Sequence, residues 1–449
     1  MNLYRSRGLS LFLLVVPFSF VLPAAASDLT TAWRAASSHD ATYAAADAAL
    51  RAAQEKIPQG DALLAPRVDL QVNANEGWQS YDSGKSSVKA GSRTQGQQVG
   101  TTFSLSKPVY DVASSVARDR LRKEAAQAQV QFAGARQDLM LRVSRAYFDV
   151  LLARENLRLA QAQKEAIQQQ LGLATQAYQL GMTSVTDADD AQARFDNTAA
   201  TESAAQIDLE NKSDAFRTLT GLESAGISDV PSSVVDALPT GAQMDALVLQ
   251  AGDANTNVLL QKLGVDIAHR AIDGYRLSAT PVLSAVANLG HQFEAGSISA
   301  SGGRDLTRHA SVGLVLTIPL ADGGERRSLM RQALALEDQQ VSLLEAARRE
   351  AQRLARAYAA DLRGGAQRIA SLRRARISAE NSVKSNQTGR EVGVRTTIDV
   401  LNAEQGYYQT LFNLSAARYE QLFNQLQLLA VAGALNEASL AEVNAALIH

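Results

Sequence analysis

The chain has 449 residues, a formal charge of −2 at pH 7 and no cysteine. A charge so close to neutral offers no electrostatic reason to bind nucleic acid. The missing cysteine excludes a disulfide scaffold, and with it any membrane anchor built on a lipidated N-terminal cysteine.

Taken in order, Arg5 and Arg7 precede an apolar run from Leu9 to Leu22, and Ala24-Ala25-Ala26 stands before Ser27. That is the pattern of a secretory signal, residues 1–26, with an A-x-A cleavage site. The run is about 14 residues and contains Pro17, against roughly 20 residues for a membrane span. An exported mature chain with a charge near −4 is expected once Arg5 and Arg7 are gone. No later segment reads as a membrane helix, because every long apolar run carries charges.

Residues 28–56 form a short helical pattern. Strand alternation follows: Val68, Leu70 and Val72 against Asp69, Gln71 and Asn73 in Arg67–Gly77, then Val99, Thr101, Phe103 and Leu105 against Gly100, Thr102 and Ser104 in Gln97–Lys107. The loop 78–96 completes a strand hairpin over 66–109 and suits an exposed tip. From Asp111 to Gln179 there is no proline, and the seam Leu139, Val143, Ala146, Val150, Ala153, Leu157, Ala160, Lys164, Ile167, Leu171, Ala174, Tyr178 steps by four and three. That spacing predicts a coiled-coil helix about 100 Å long. A second helix over 185–220 closes a helical hairpin, 111–221.

A connector, 222–240, carries Pro231 and Pro239, and then the series repeats. There is a short helix (241–275), strands Val282–Gly290 and Ser311–Ile318 joined by loop 291–308 (hairpin 281–319), a long helix from Asp322 to Gly389 with Gly364-Gly365 as a possible kink, a second helix over 397–432, and a tail, 434–449. The echo is sharpest at two turns, Gly181-Met-Thr-Ser-Val-Thr-Asp187 and Gly393-Val-Arg-Thr-Thr-Ile-Asp399, offset by 212 residues. Solenoid units run to roughly 20–50 residues, so this is one structural half made twice, 27–221 and 241–433.

Strands of about 10 residues cross a bilayer when tilted. Four cannot close a barrel, and lipid forbids open edges, but three copies supply twelve. The expected fold class is therefore an α+β membrane protein: a trimeric twelve-stranded β-barrel, four strands per protomer, joined to long coiled-coil helices. A small soluble sheet capping a coiled coil is the alternative.

Ser184-x-x-Asp187 and Thr396-x-x-Asp399 read as helix caps. Carboxylates brought together by symmetry would also repel, and a cation or an Arg would have to offset them. Asp187-Ala-Asp189-Asp190 lacks the Gly and Glu of a calcium loop. The histidines are scattered (His39, His269, His291, His309 and His449), and no nucleophile elbow or phosphate loop is present. No enzyme, metal or cofactor is expected. Arg348-Arg349, Arg353, Arg356, Arg373-Arg374 and Arg376 make the second long helix basic, as a solvated face or a docking stripe.

Signal, paired strand hairpins, paired long helices and echoed turns together resemble the TolC family of outer-membrane channel proteins, over essentially the whole mature chain. The most specific piece is Gly393-Val394-Arg395-Thr-Thr-Ile-Asp399-Val400-Leu401, close to that family's Gly-Thr-Arg-Thr-x-x-Asp-Val-Leu turn. The resemblance implies a homotrimer in outer-membrane lipid, with a periplasmic tunnel closed at its inner end by the echoed turns. It implies as partners a periplasmic adaptor and an inner-membrane ABC or proton-driven transporter, and no nucleic acid. Asp399 matches an acid that narrows the tunnel, and Arg395 a base that holds it shut. Asn402 stands where a second acid is common, and Arg390 where a Tyr is common. In the first half Asp187 aligns with Asp399 and Asp190 with Asn402, while Gly181 and Gly393 are the turn glycines. The lack of a cysteine for lipid and the Gly-x-Arg-Thr turn lean toward type I protein secretion. Multidrug efflux is the alternative, and a periplasmic coiled-coil adaptor or structural protein the rival of another class.

Overall fold

The computed structural model describes residues 28–81, 92–227, 239–299, 301 and 303–448. The signal segment 1–26, Pro231 of the connector and His449 lie outside the described residues. The first half holds α1 (Leu29–His39), α2 (Ala41–Gln54), α3 (Lys56–Ala62), β1 (Arg67–Tyr81), β2 (Ser92–Tyr110), α4 (Val112–Gln179) and α5 (Val185–Thr220). The second holds α6 (Gly241–Ala254), α7 (Thr256–Leu277), β3 (Val282–Gly296), β4 (Arg304–Thr317), α8 (Glu325–Glu391) and α9 (Thr397–Val431), and α10 (Glu437–Ile448) follows.

Both short helical patterns are broken by a polar residue that caps the next helix. Asp40 accepts the N–H groups of Thr42 at 2.6 Å and Tyr43 at 3.4 Å, and its carboxylate is paired with Arg142 at 2.5 Å. Asn255 accepts the Asn257 N–H at 3.0 Å and donates to the Val431 carbonyl at 2.9 Å, which ties α7 to α9. A side chain that bonds its own backbone offers the chain an alternative to continuing the helix.

The long helices α4 and α8 run 68 and 67 residues, about 100 Å each. Of the α4 seam, Leu139, Val143, Val150, Ala153, Ala160, Ile167 and Ala174 are buried, while Lys164 pairs with Glu202 of α5 at 2.7 Å. Gly364-Gly365 does not interrupt α8. A β-carbon at Gly365 would collide with the Gln421 side chain, whose amide donates to the Leu362 carbonyl at 2.9 Å. The glycine admits a close approach of α9.

All four strands form one antiparallel sheet in the order β1-β2-β3-β4. They run 14 to 19 residues, longer than the expected ten or so, because pairing continues through both polar segments read as loops, out to Tyr81↔Ser92 and Ala295↔Arg304. Register decides the faces. Leu70 pairs with Phe103, Phe103 with Leu289 and Leu289 with Ala310, while Val68, Leu105, Ala287 and Val312 make the next row. On the opposite face Asp69, Ser104, Asn288 and Ser311 form a polar row. The apolar face is bare in the protomer: Val312 is 89% exposed and Leu70 66%.

Large side chains concentrate between the sheet and the far turns. Leu29 and Trp33 of α1, Met140, Tyr147 and Phe148 of α4, Phe216 of α5, Leu426 of α9 and Leu440 of α10 form the largest core cluster. In the lower bundle α4 packs on α5, α8 on α9, and α4 on α9, so α5 and α8 are the flanks. Burial there comes down to a few side chains, such as Ile167, Ala174, Ala191 and Leu401.

Candidate functional site

Both helical hairpins turn in the same way. Gly181 and Gly393 adopt φ of +72° and +77°, a region in which an L side chain is disfavoured. Each closes a Schellman motif. Gly181 and Met182 donate to the carbonyls of Tyr178 and Ala177 at 2.9 and 2.8 Å, and Gly393 and Val394 to those of Arg390 and Gly389 at 3.0 and 2.8 Å. A helix cap follows at once. Ser184 accepts the Asp187 N–H at 3.3 Å, and Thr396 accepts the Asp399 N–H at 3.2 Å.

The two aspartates then differ. Asp399 completes a reciprocal capping box, accepting the Thr396 N–H and hydroxyl, both at 2.9 Å. Those bonds, with a smaller pull from Arg395, hold its carboxyl below the ordinary range. Asp187 instead accepts the hydroxyl of Thr183, from its own turn.

A cleft of about 490 Å³ between the turns brings Asp187, Arg390 and Arg395 together, with Ala177, Thr183 and Thr396 among its walls. Asp190, Asp399 and Asn402 are not among its lining residues. Arg395 lies across Gly389, where a β-carbon would come within 2.6 Å of its Cγ. Asn402 is held from the other hairpin: Arg194 of α5 donates to Asn402 Oδ1 at 2.9 Å and to Gln405 Oε1 at 2.8 Å. The cleft therefore gathers two carboxylates, Asp187 and Glu391, with two guanidinium groups, and Arg194 locks Asn402 into the seam between hairpins.

Just inside the cleft lies a buried polar group that the turn motifs do not signal. Glu404 of α9 is 4% exposed and Gln170 of α4 6%. Glu404 Oε1 accepts the amides of Gln387 at 3.3 Å and Gln170 at 3.5 Å, and Arg390 donates to Gln170 Oε1. Glu404 Oε2 is buried with no hydrogen-bond partner. Burial pushes this carboxyl up, against the opposing pull of the two amides and of Arg390. Its signal in the sequence is positional: Val400, Leu401 and Glu404 fall on one helical face.

Among the described residues, no helix is long and apolar enough to cross a membrane, and no three His, Asp or Glu side chains converge as metal ligands would. An open sheet with one apolar and one polar face, carried on two long helical hairpins, defines the protomer of a β-barrel channel continuous with a helical tunnel. The chain belongs to the outer membrane efflux protein family, whose model matches residues 34–222 and 249–434. It is 30% identical over 426 residues to outer membrane protein TolC of Vibrio cholerae serotype O1, covering 94% of each chain. It is 27% identical to the proteases secretion protein PrtF of Dickeya chrysanthemi, over 94% of this chain and 91% of that one. The crystal structure of the outer membrane protein VceC from Vibrio cholerae shares the fold, with a TM-score of 0.74 at 17% identity over 91% of this chain and 97% of that one.

Proposed function

We propose that three copies of this chain form an outer-membrane exit duct, which passively conducts cargo handed over by an inner-membrane transporter and a periplasmic adaptor. The observation that carries this reading is the bare apolar face on a sheet with two unpaired edges, β1 and β4. Lipid tolerates the face but not the edges, and three such sheets close a twelve-stranded barrel. The signal segment 1–26 would deliver each copy to the periplasm. The halves 27–221 and 241–433 would each contribute one helical hairpin to the tunnel.

The entrance is then the ring of echoed turns. Asp187 and Asp399, repeated three times, make it negative, with Asp190 adding charge and Asn402 adding none. Arg390 and Arg395 hold it narrow from the cleft they share with Asp187. Solvated ion pairs contribute only about 0–1 kcal/mol each, so an adaptor can open such a gate at small cost.

For cargo, the name of the Dickeya relative and the Gly393-Val-Arg395-Thr turn favour protein secretion of type I. The family's description favours small-molecule efflux as the second reading. Single-channel conductance in planar bilayers tests the duct. Wild type is expected to give small cation-selective steps, and Asp187→Ala/Asp399→Ala steps without cation selectivity. An absence of steps from inserted trimer would reject the channel in favour of a structural or adaptor protein. Expression in a host lacking its own duct separates the cargoes, restored protease secretion against restored drug resistance.

A further inference from the structure

The flanks of the lower bundle carry opposite charge. Above the cleft, residues 188–214 of α5 hold seven acidic and two basic side chains, and residues 363–389 of α8 hold six basic and one acidic. Nearer the sheet, α8 neutralises its own arginines through i,i+3 and i,i+4 pairs: Arg349 with Glu345 and Arg353 with Glu350. Below Leu362 the pattern changes. Lys384 pairs with Glu380, but among the described residues Arg368 and Arg374 meet no carboxylate, and Arg374 turns to the Ser371 hydroxyl at 3.2 Å. Next to them Arg418 of α9 is half-buried, with its Nε unpartnered and its charge disfavoured first by burial and then by Arg373 and Arg376. On α5, Asp189, Asp196 and Glu210 share the exposed face opposite the buried Ala191, Thr198 and Ala205.

We infer that the acidic face of α5 in one copy packs against the basic face of α8 in the next, so that an electrostatic seam joins neighbouring copies of the tunnel. The inference rests on the trimeric reading above and adds to it which faces meet and what holds them. The occupant is a second copy of this chain because acid and base occur on opposite flanks of one protomer, an arrangement that closes head to tail into a ring. Runs of like charge repel along each helix, and at contact distances, well inside the screening length of about 8 Å at physiological salt, each run supplies the other's counter-charge. The seam also sets rotational order, since α5 against α5 or α8 against α8 would oppose like charges.

The lack of cysteine makes the test direct. Ser203 of α5 and Ser378 of α8 are exposed, and the Arg194–Asn402 bond between α5 and α9 with the Gln387–Glu404 bond between α8 and α9 places them at similar heights. The full-length Ser203→Cys/Ser378→Cys protein, extracted in detergent and oxidised, is expected to form covalent dimers and trimers, whereas either single variant is not. Asp196→Lys/Glu210→Lys alone, or Arg368→Glu/Arg374→Glu alone, should lose most of that product, and the four changes together should recover it. An intact trimer that does not cross-link, or that keeps its cross-linking yield in both charge-reversed variants, overturns the seam and leaves the duct. A wild-type protein that is monomeric in native mass measurements overturns the duct reading itself.

Discussion

Gln170 and Glu404 face each other from different helical hairpins, amide to carboxylate at 3.5 Å, with neither open to solvent. Because Gln170 also receives Arg390, this one glutamine joins α4, α8 and α9 just above the entrance. Gln170→Leu should therefore leave two charged groups under-bonded, at a cost of about 1–3 kcal/mol. The check is the thermal midpoint of the assembled protein, together with faster amide exchange at the turn end of α4 and α9.

Glu404 makes that region sensitive to pH, and the sign follows from its environment. Its native pKa is raised from the ordinary 4.5, so between the two values the folded state holds the proton more tightly than the unfolded state. Stability must then fall as pH rises from 4.5 through the native value. The thermal midpoint should decline over that window in wild type, and the decline should be smaller in Glu404→Gln. An identical pH profile in the two proteins would remove Glu404 from the account.

Asp399 behaves in the opposite sense. The Thr396 N–H and hydroxyl hold its pKa below the ordinary 3.8, so its contribution is present above 3.8 and disappears as pH falls through the native value. Thr396→Ala should cost about 1 kcal/mol as a lost cap and should move the Asp399 titration back toward 3.8. A carboxyl NMR titration of the labelled protein reads both effects.

Adjacent glycines in α8 should respond with opposite signs. Gly364 faces open space, so Gly364→Ala should stabilise by about 0.5–1 kcal/mol through helix propensity. At Gly365 a methyl meets Gln421, and Gly365→Ala should destabilise by about 1–3 kcal/mol through overpacking. Thermal midpoints of the two single variants decide it.

Turn glycines offer a further contrast. Gly393→Ala should cost about 1–2 kcal/mol for a β-carbon in the left-handed region, and Gly393→Asn less, because Asn tolerates that region. Proteolysis at the turn, measured over time for both variants, should follow the same order.

Much of this architecture was legible because strands and coiled coils write their periods into the chain. Val68, Leu70 and Val72, with Val312, Leu314 and Leu316, announce the apolar face, and the α4 seam announces a helix too long for a globular domain. Strand ends were hidden because Trp78, Phe293 and Leu306 stand isolated among polar residues there, so alternation is too sparse to read while hydrogen bonding continues to Tyr81 and Arg304. Asp40 and Asn255 were hidden within helix-forming runs, where only their bonds show that they stop one helix and start another. The turn residues were found by their echo. Glu404 has no counterpart motif and becomes visible only when α9 is read by face.

The unpaired edges of β1 and β4 bear on how the protein comes into being. A single copy presents an apolar sheet that water rejects and a pair of raw strand edges that lipid rejects. No resting place exists for it alone in either solvent. Under the proposed trimer, subunit association and membrane insertion are accordingly expected to be one coupled event.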